Sequence, residues 1–332
     1  LTFVTALYAQ LSQPPARSGT FRDAEPISLA ATLAAPYSGA TLFAILLARH
    51  PEIASDGEIF PWGNEGTVVC SCGQAQIDCP YYRQAAGHML EPGGRSWDRR
   101  WFAPHPRYSR FTFLDRAVGR LWGCSALYAA QQYLRSMVRP WREHDRAFVD
   151  AQLRFMENSL RLRGAQVYVD GSKSIRRALL FAASGQVRLK VIHLVRDGRA
   201  FCFSYLKNNK LPRNRLAAAA RAWLGSIQSV DRFRARMPGV PVLNVRYEDL
   251  CRDLPATLHR LCQFLGLSYE PGLERPAAEA YHVLGNRMRM VFSGQIEECR
   301  RWQREFGAAE IDFLDNTMRK SLERYGYLGP IT

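Results

Sequence analysis

The sequence predicts an α/β fold: a central parallel sheet flanked by helices. Three observations carry that prediction. Short apolar runs recur along the chain, each is followed by polar turn chemistry, and a helical pattern then begins. Four runs fit, at 27–35 (ISLAATLAA), 166–170 (QVYVD), 189–195 (LKVIHLV) and 240–245 (VPVLNV). Strands covered on both faces read as continuous apolar runs, and ligands of such sheets gather at the carboxyl ends of the strands.

The first run leads into Pro36-Tyr37-Ser38-Gly39-Ala40-Thr41, and an apolar helix starts at once with Leu42-Phe43-Ala44-Ile45. A small-residue turn at a helix N-terminus presents free backbone N–H groups and the positive end of the helix dipole, which suit a phosphate. Ser38 and Thr41 add hydroxyl donors. The bland alternative is a Ser-Gly bend that merely turns the chain. A Walker-type kinase loop needs Gly-Lys-Ser or Gly-Lys-Thr after its four spacer residues, and this turn has no Lys and one Gly where that motif has two.

Between 61 and 150 the pattern changes to an aromatic and Arg-rich stretch with no clear strand, containing Trp62, Tyr81, Tyr82, Trp97, Trp101, Phe102, Trp122 and Trp141. It is expected to be an insertion over the sheet edge. Inside it Cys70, Cys72 and Cys79 (CSCGQAQIDCP) are close enough to bind a metal or form a local disulfide. Zinc wants four ligands, and His88 is a poor fourth. The other thiols read as ordinary buried cysteines of a reducing compartment.

The second run ends in Asp170-Gly171-Ser172-Lys173-Ser174. The third ends in Val195-Arg196-Asp197-Gly198-Arg199, with Ser204 eight residues beyond Arg196 in the following helix. A guanidinium and a hydroxyl so placed can converge on one phosphate, although Arg196 could instead pair with Asp197. The fourth run ends in Arg246-Tyr247-Glu248-Asp249-Leu250. From 251 to 332 the chain reads mostly as amphipathic helix, with Leu258, Leu261, Cys262 and Leu265 at three-and-four spacing.

With 332 residues, 47% of them hydrophobic, the chain can bury a large core. A net charge of +15 suits a nucleic-acid binder, a membrane-surface protein or an enzyme of phosphorylated or sulfated substrates, and composition does not choose among them. Only five of the 45 basic residues are lysines, so any lysine with a chemical role is one of five. No apolar run reaches the length of a membrane span. The stretch 1–11 lacks the basic lead-in and cleavage site of a signal peptide, so a cytoplasmic protein is expected.

The motifs PYSGATLF with HPEI, VDGSKS, VIHLVRDGRAFCFSYLK and VRYEDLCRDLPATLHRLCQFLGL, in this order and spacing, resemble the PAPS-dependent sulfotransferase family, especially its bacterial members. The resemblance covers 27–60 and 167–289. It implies a single P-loop-containing domain, with 27–60 and 165–250 as the α/β core, 61–150 on the acceptor side and 251–332 as a helical end. It also implies transfer of a sulfuryl group from PAPS (3′-phosphoadenosine 5′-phosphosulfate) to a hydroxyl or amine, with 3′-phosphoadenosine 5′-phosphate (PAP) as product. No metal is expected in the transfer. The acceptor would be a small molecule, glycan or peptide, not a nucleic acid. The alternatives are a non-catalytic basic protein that binds nucleotides or polyanions, or a kinase-like phosphotransferase.

By the same resemblance Ser38, Gly39, Ala40 and Thr41 hold the 5′-phosphosulfate, Arg196 and Ser204 the 3′-phosphate, and Tyr247 lies near the adenine. Arg287 and Arg289, in HVLGNRMR, are similar to a late basic loop that closes over the 3′-phosphate, or else form an exposed face. The family often carries a cation just before the Ser-Gly, where this chain has Tyr37. In-line sulfuryl transfer builds negative charge on the bridging oxygen, which some donor must stabilise. Lys173 is the expected substitute, with Tyr37 as a further donor. Glu58, twenty residues after Ser38, resembles the Glu base of the tyrosylprotein members and is expected to take the acceptor proton. His50 is expected to cap or pack against the first helix.

Overall fold

The computed structural model describes residues 25–59, 68–87, 139–273, 281–290, 292, 296–298 and 300–328. Among them a five-stranded, all-parallel sheet forms the centre. β1 (Ile27–Ala34), β2 (Ile53–Ser55), β3 (Val167–Asp170), β4 (Val187–Val195) and β5 (Val242–Arg246) lie in the order β2-β3-β1-β4-β5. Four of these strands answer the apolar runs. β2 was not expected. Its three residues are too few to display a pattern, and pairing with Val167, Tyr168 and Val169 makes them a strand.

The helices are α1 (Ala40–Leu47), α2 (Pro80–Ala86), α3 (Arg139–Arg163), α4 (Ile175–Ser184), α5 (Gly198–Asn208), α6 (Leu216–Arg236), α7 (Tyr247–Arg252), α8 (Leu254–Leu265), α9 (Trp302–Glu305) and α10 (Ala308–Arg324). Along β1, Leu29, Ala31 and Leu33 share a core with Phe148 and Phe155 of α3 and Phe181 of α4. Ala30 faces the other way, with Phe43 and Leu46 of α1 and Leu258 and Leu261 of α8. β4 repeats the division, with Val191 in the first core and Ile192 and Leu194 in the second. Successive side chains alternate between faces, and helices cover both, so both sets are apolar.

A third core gathers α5, α6 and α10 around Trp223, Leu314 and Met318 beyond the end of β4. Trp223 is 1% exposed, and its indole N–H donates to the Arg196 carbonyl at 3.0 Å. Burial of that ring therefore also fixes the strand end that carries Arg196. Truncation of such a side chain costs about 3–5 kcal/mol.

The register sets the place of the site. Ala34 pairs with Leu194, so the turn after β1 and the end of β4 emerge side by side. From β1 the chain departs toward β2 and β3, whereas from β4 it departs toward β5. The crevice between is a topological switch point, where open α/β sheets bind ligands.

Of the aromatic stretch, Tyr81 and Tyr82 lie on α2 and pack in the first core. Trp62, His88, Trp97, Trp101, Phe102 and Trp122 fall outside the described residues, as does 1–11. Among the described residues, the C-terminal third is less helical than expected. Among the described residues between α8 and α10, the regular structure is one 3-10 turn, Arg287–Met290, and the four-residue α9. No described helix is long and apolar enough to cross a membrane.

Candidate active site

The turn after β1 is built to leave donors free. Tyr37 and Gly39 both adopt left-handed backbone, at φ 62° and 83°. Glycine is needed at the second: a Cβ there would stand 2.4 Å from Cδ2 of Tyr247. The first α-helical bond runs from Phe43 N–H to the Gly39 carbonyl at 2.9 Å. The amides at the start of α1 have no partner within the helix, and its first turn carries no acidic residue. The Ser38 hydroxyl is buried and has no hydrogen-bond partner among the described residues. A buried polar atom left unpaired costs roughly 1–3 kcal/mol, which a bound anion would relieve.

Arg196 meets this turn from the end of β4. One Nη donates to the Tyr37 carbonyl at 2.7 Å and to the Ser204 hydroxyl at 3.3 Å, and the guanidinium lies over the Tyr247 ring at 4.9 Å. Its Nε is buried without a partner among the described residues. Pairing with Asp197 does not occur. Asp197 caps α5 through Arg199 N–H and binds the Arg199 guanidinium at 2.8 Å, and Arg199 reaches on to Asp315 at 3.2 Å. Arg196 is thereby left as a cation without an acid partner among the described residues. The four residues Tyr37, Arg196, Ser204 and Tyr247 thus converge as one group.

Glu248, beside Tyr247, holds the assembly from below. Its carboxylate accepts from Asp197 N–H at 3.0 Å and from the Tyr327 hydroxyl at 2.7 Å, and burial pushes its pKa up. Within RYEDL only Tyr247 resembles a family position. Glu248 carried no signal of its own, because its partners lie in α10's C-terminal extension and at the start of α5.

Lys173 and Glu58 are brought together as a direct ion pair. The backbone does this: Gly171 N–H donates to the Gly57 carbonyl at 3.0 Å, and a Cβ on Gly171 would meet that oxygen at 2.7 Å. Ile59 N–H adds a bond to Ser172 Oγ at 3.2 Å. Lys173 itself sits in left-handed backbone, φ 58°. Two residues before Glu58, Asp56 is fully buried and accepts from the hydroxyls of Tyr81, Tyr168 and Ser159 at 2.7, 2.9 and 3.1 Å. Burial pushes its carboxyl up. The Asp170–Arg177 pair, equally buried, anchors the other side of the Lys173 loop.

The segment 281–290 closes against both parts. Leu284 exchanges backbone bonds with Asp56 and Glu58 at 2.9 and 3.1 Å, and Asn286 N–H donates to the Thr41 hydroxyl at 3.3 Å. The two basic residues of this segment part company. Arg289 donates to the carbonyls of Val69 at 2.8 Å and Asn286 at 2.7 Å, whereas Arg287 is exposed and without a partner among the described residues. His50 packs as expected: Nδ1 accepts from Glu52 N–H at 3.1 Å, so Nε2 is the donor to the Ser268 carbonyl at 2.9 Å. Lys190 caps the last carbonyls of α8 at 2.7 and 3.0 Å, which removes one rival lysine.

A cavity of about 310 Å³ opens beside Lys173, on the face of α4 and α6, lined in part by Arg176, His193, Ser229, Arg232 and Arg236.

Taken together, these features define an α/β protein whose sheet has, at its switch point, a crevice where the Ser38 hydroxyl and the Arg196 Nε are buried without a partner among the described residues. The family model described as sulfotransferase matches residues 32–271, and the chain belongs to the sulfotransferase family. Among solved structures, it is similar to the sulfotransferase domain from the curacin biosynthetic pathway, with 17% identity, 89% of this chain and 99% of that one covered, and a TM-score of 0.48. A sulfotransferase domain from the Synechococcus PCC 7002 olefin synthase gives 20%, 95%, 100% and 0.47 for the same quantities. A mouse sulfotransferase complexed with PAP gives 13%, 96%, 89% and 0.41. Comparison with curated proteins finds no match.

Proposed function

We propose that this sulfotransferase takes its sulfuryl group from PAPS, reading the donor at the switch point between β1 and β4. One observation carries the reading: a buried Ser38 hydroxyl and a buried Arg196 Nε, both unpartnered among the described residues, belong to adjoining strand ends. Two orphaned donors with a free cation fit a doubly phosphorylated nucleotide. The amides and hydroxyls of Ser38–Thr41 take the 5′-phosphosulfate, Arg196 with Ser204 takes the 3′-phosphate, and the Tyr247 ring offers the adenine an apolar face. Arg287 is the cation free to close over the 3′-phosphate. Arg289 serves the fold instead.

In the transfer, the acceptor oxygen or nitrogen attacks sulfur as the bond from sulfur to the bridging oxygen breaks. The electron pair leaves with the 5′-phosphate of PAP. Glu58 takes the acceptor proton. Lys173, which neutralises Glu58 in the resting pair, turns to the bridging oxygen as charge develops there, and this releases the carboxylate to act as base. The cavity beside Lys173 is where the acceptor, of small-molecule, glycan or peptide class, would enter. The same proposal assigns 61–150 to the acceptor side of one domain.

Replacement of Glu58 by Gln tests the transfer step. The variant should bind PAP as the parent does while losing roughly 100-fold or more in turnover, the usual contribution of a general base. Turnover is followed with labelled PAPS across an acceptor panel. Unchanged turnover would remove Glu58 from the mechanism.

A further inference from the structure

Away from the donor crevice, Cys70, Cys72 and Cys79 meet a fourth residue that their spacing did not reveal, His282. The four ligand atoms lie within 4.8 Å of one another. Sγ of Cys72 and Cys79 are 3.7 Å apart, and Nδ1 of His282 is 3.5 Å from Sγ of Cys70 and 3.3 Å from Sγ of Cys79. Around a tetrahedral zinc ion, with Zn–S about 2.3 Å and Zn–N about 2.0–2.1 Å, sulfurs stand roughly 3.8 Å apart and sulfur stands roughly 3.6 Å from nitrogen. We propose that Cys70, Cys72, Cys79 and His282 hold one structural zinc ion.

The surroundings are those of a built site. Cys70 N–H donates to the Gln74 carbonyl at 2.8 Å and Gly73 N–H donates to the Cys70 carbonyl at 2.9 Å, which folds 70–74 into a tight knuckle. Cys79 stands immediately before Pro80 at the start of α2, and Cys70 and Cys79 are both fully buried. The His282 ring lies flat on Tyr81, 4.9 Å between centroids and 5° between planes, which holds its Nδ1 toward the sulfurs. Ser71 and Val283 clamp the two segments, with Ser71 N–H donating to the Val283 carbonyl at 3.2 Å and Val283 N–H to Ser71 Oγ at 2.9 Å. The Tyr82 hydroxyl donates to the His282 carbonyl at 3.0 Å.

Four protein ligands close the coordination sphere, so the ion is structural rather than catalytic. Three thiols give up their protons to solvent when it binds, and a neutral His supplies the fourth electron pair. A disulfide between Cys72 and Cys79 is the competing use of these residues. It would need an outside oxidant, and it would leave Cys70 and His282 without a purpose. The zinc ties residues 70–79 to the start of the segment that runs on past Glu58 to Thr41, and so braces the active site without touching it.

Metal content tests the proposal on the purified full chain. Plasma mass spectrometry should find about one zinc per chain, and Cys70→Ser with Cys79→Ser should reduce it to background. If that variant fails to fold, the parent still decides. Cobalt exchanged for zinc should give the intense visible bands and thiolate charge-transfer absorption of a tetrahedral sulfur-rich site. Removal of the metal by a chelator should expose three further reactive thiols of the eight in the chain. A zinc-dialysed parent with no bound metal, a featureless cobalt spectrum, or a mass lower by two hydrogens with two thiols missing would overturn it, the last in favour of the disulfide.

Discussion

Arg196 shows how a single residue's role turns on its neighbour's partner. The sequence left it between a phosphate ligand and an ion pair with Asp197. Asp197 is taken by Arg199 through both the backbone and the guanidinium, and Arg199 is anchored further by Asp315 and by the Trp302 ring at 4.5 Å. No local pattern reports a partner 116 residues away, so the choice was not legible in the motif. His193 is a second residue whose role appears only in the fold. It is buried between β4 and β5, shares its Nδ1 with Asn244 at 3.2 Å and Tyr325 at 3.4 Å, and has Arg234, Asp231 and Arg324 nearby. Burial lowers its pKa to about 4 from an ordinary 6.5. The unfolded chain therefore takes up a proton first as pH falls. Stability that rests on the neutral ring is complete above about 6.5 and is lost as pH drops toward 4, by up to about 3 kcal/mol. Urea titrations across this window should show His193→Gln losing less stability than the parent. An acid limb of unchanged slope would contradict the assignment.

At the scale of elements, the turn after β1 was legible as a turn because its pattern is local: a strand, small residues and a helix in direct succession. Two elements were not. β2 exists through its pairing with β3, and the segment 281–290 gains its place from contacts with Asp56, Glu58, Thr41 and Ser71, all more than 200 positions earlier. The same distance hid His282 from the cysteine cluster. In the turn itself, Gly39 answers two demands at once, a φ of 83° and the close approach of Tyr247. Gly39→Ala should cost about 1–2 kcal/mol from the backbone alone. It should also displace the Tyr247 ring, and so abolish most of the rise in melting temperature that PAP produces in the parent. Scanning calorimetry with and without PAP reads both effects. A full PAP-dependent rise in the variant would mean that the turn does not contact the nucleotide.

For the whole molecule, alternating apolar runs and turns were enough to foresee a parallel sheet, and the motif order was enough to foresee the family that the match over 32–271 shows. Strand order was not legible, yet it decides where the chemistry sits. β1 and β4 are neighbours only because the chain from β3 crosses over β1, and that crossing sets the Ser38 turn beside Arg196. The net charge of +15 would by itself attract any anion. What distinguishes a PAPS site is selectivity for the 3′-phosphate, and the most direct test is a calorimetric titration at physiological salt with PAP and with adenosine 5′-phosphate. Charge-assisted hydrogen bonds from Arg196 and Ser204 should make PAP bind roughly 10- to 100-fold more tightly, and Arg196→Gln should erase most of that preference. Equal affinity of the parent for the two nucleotides would contradict the account.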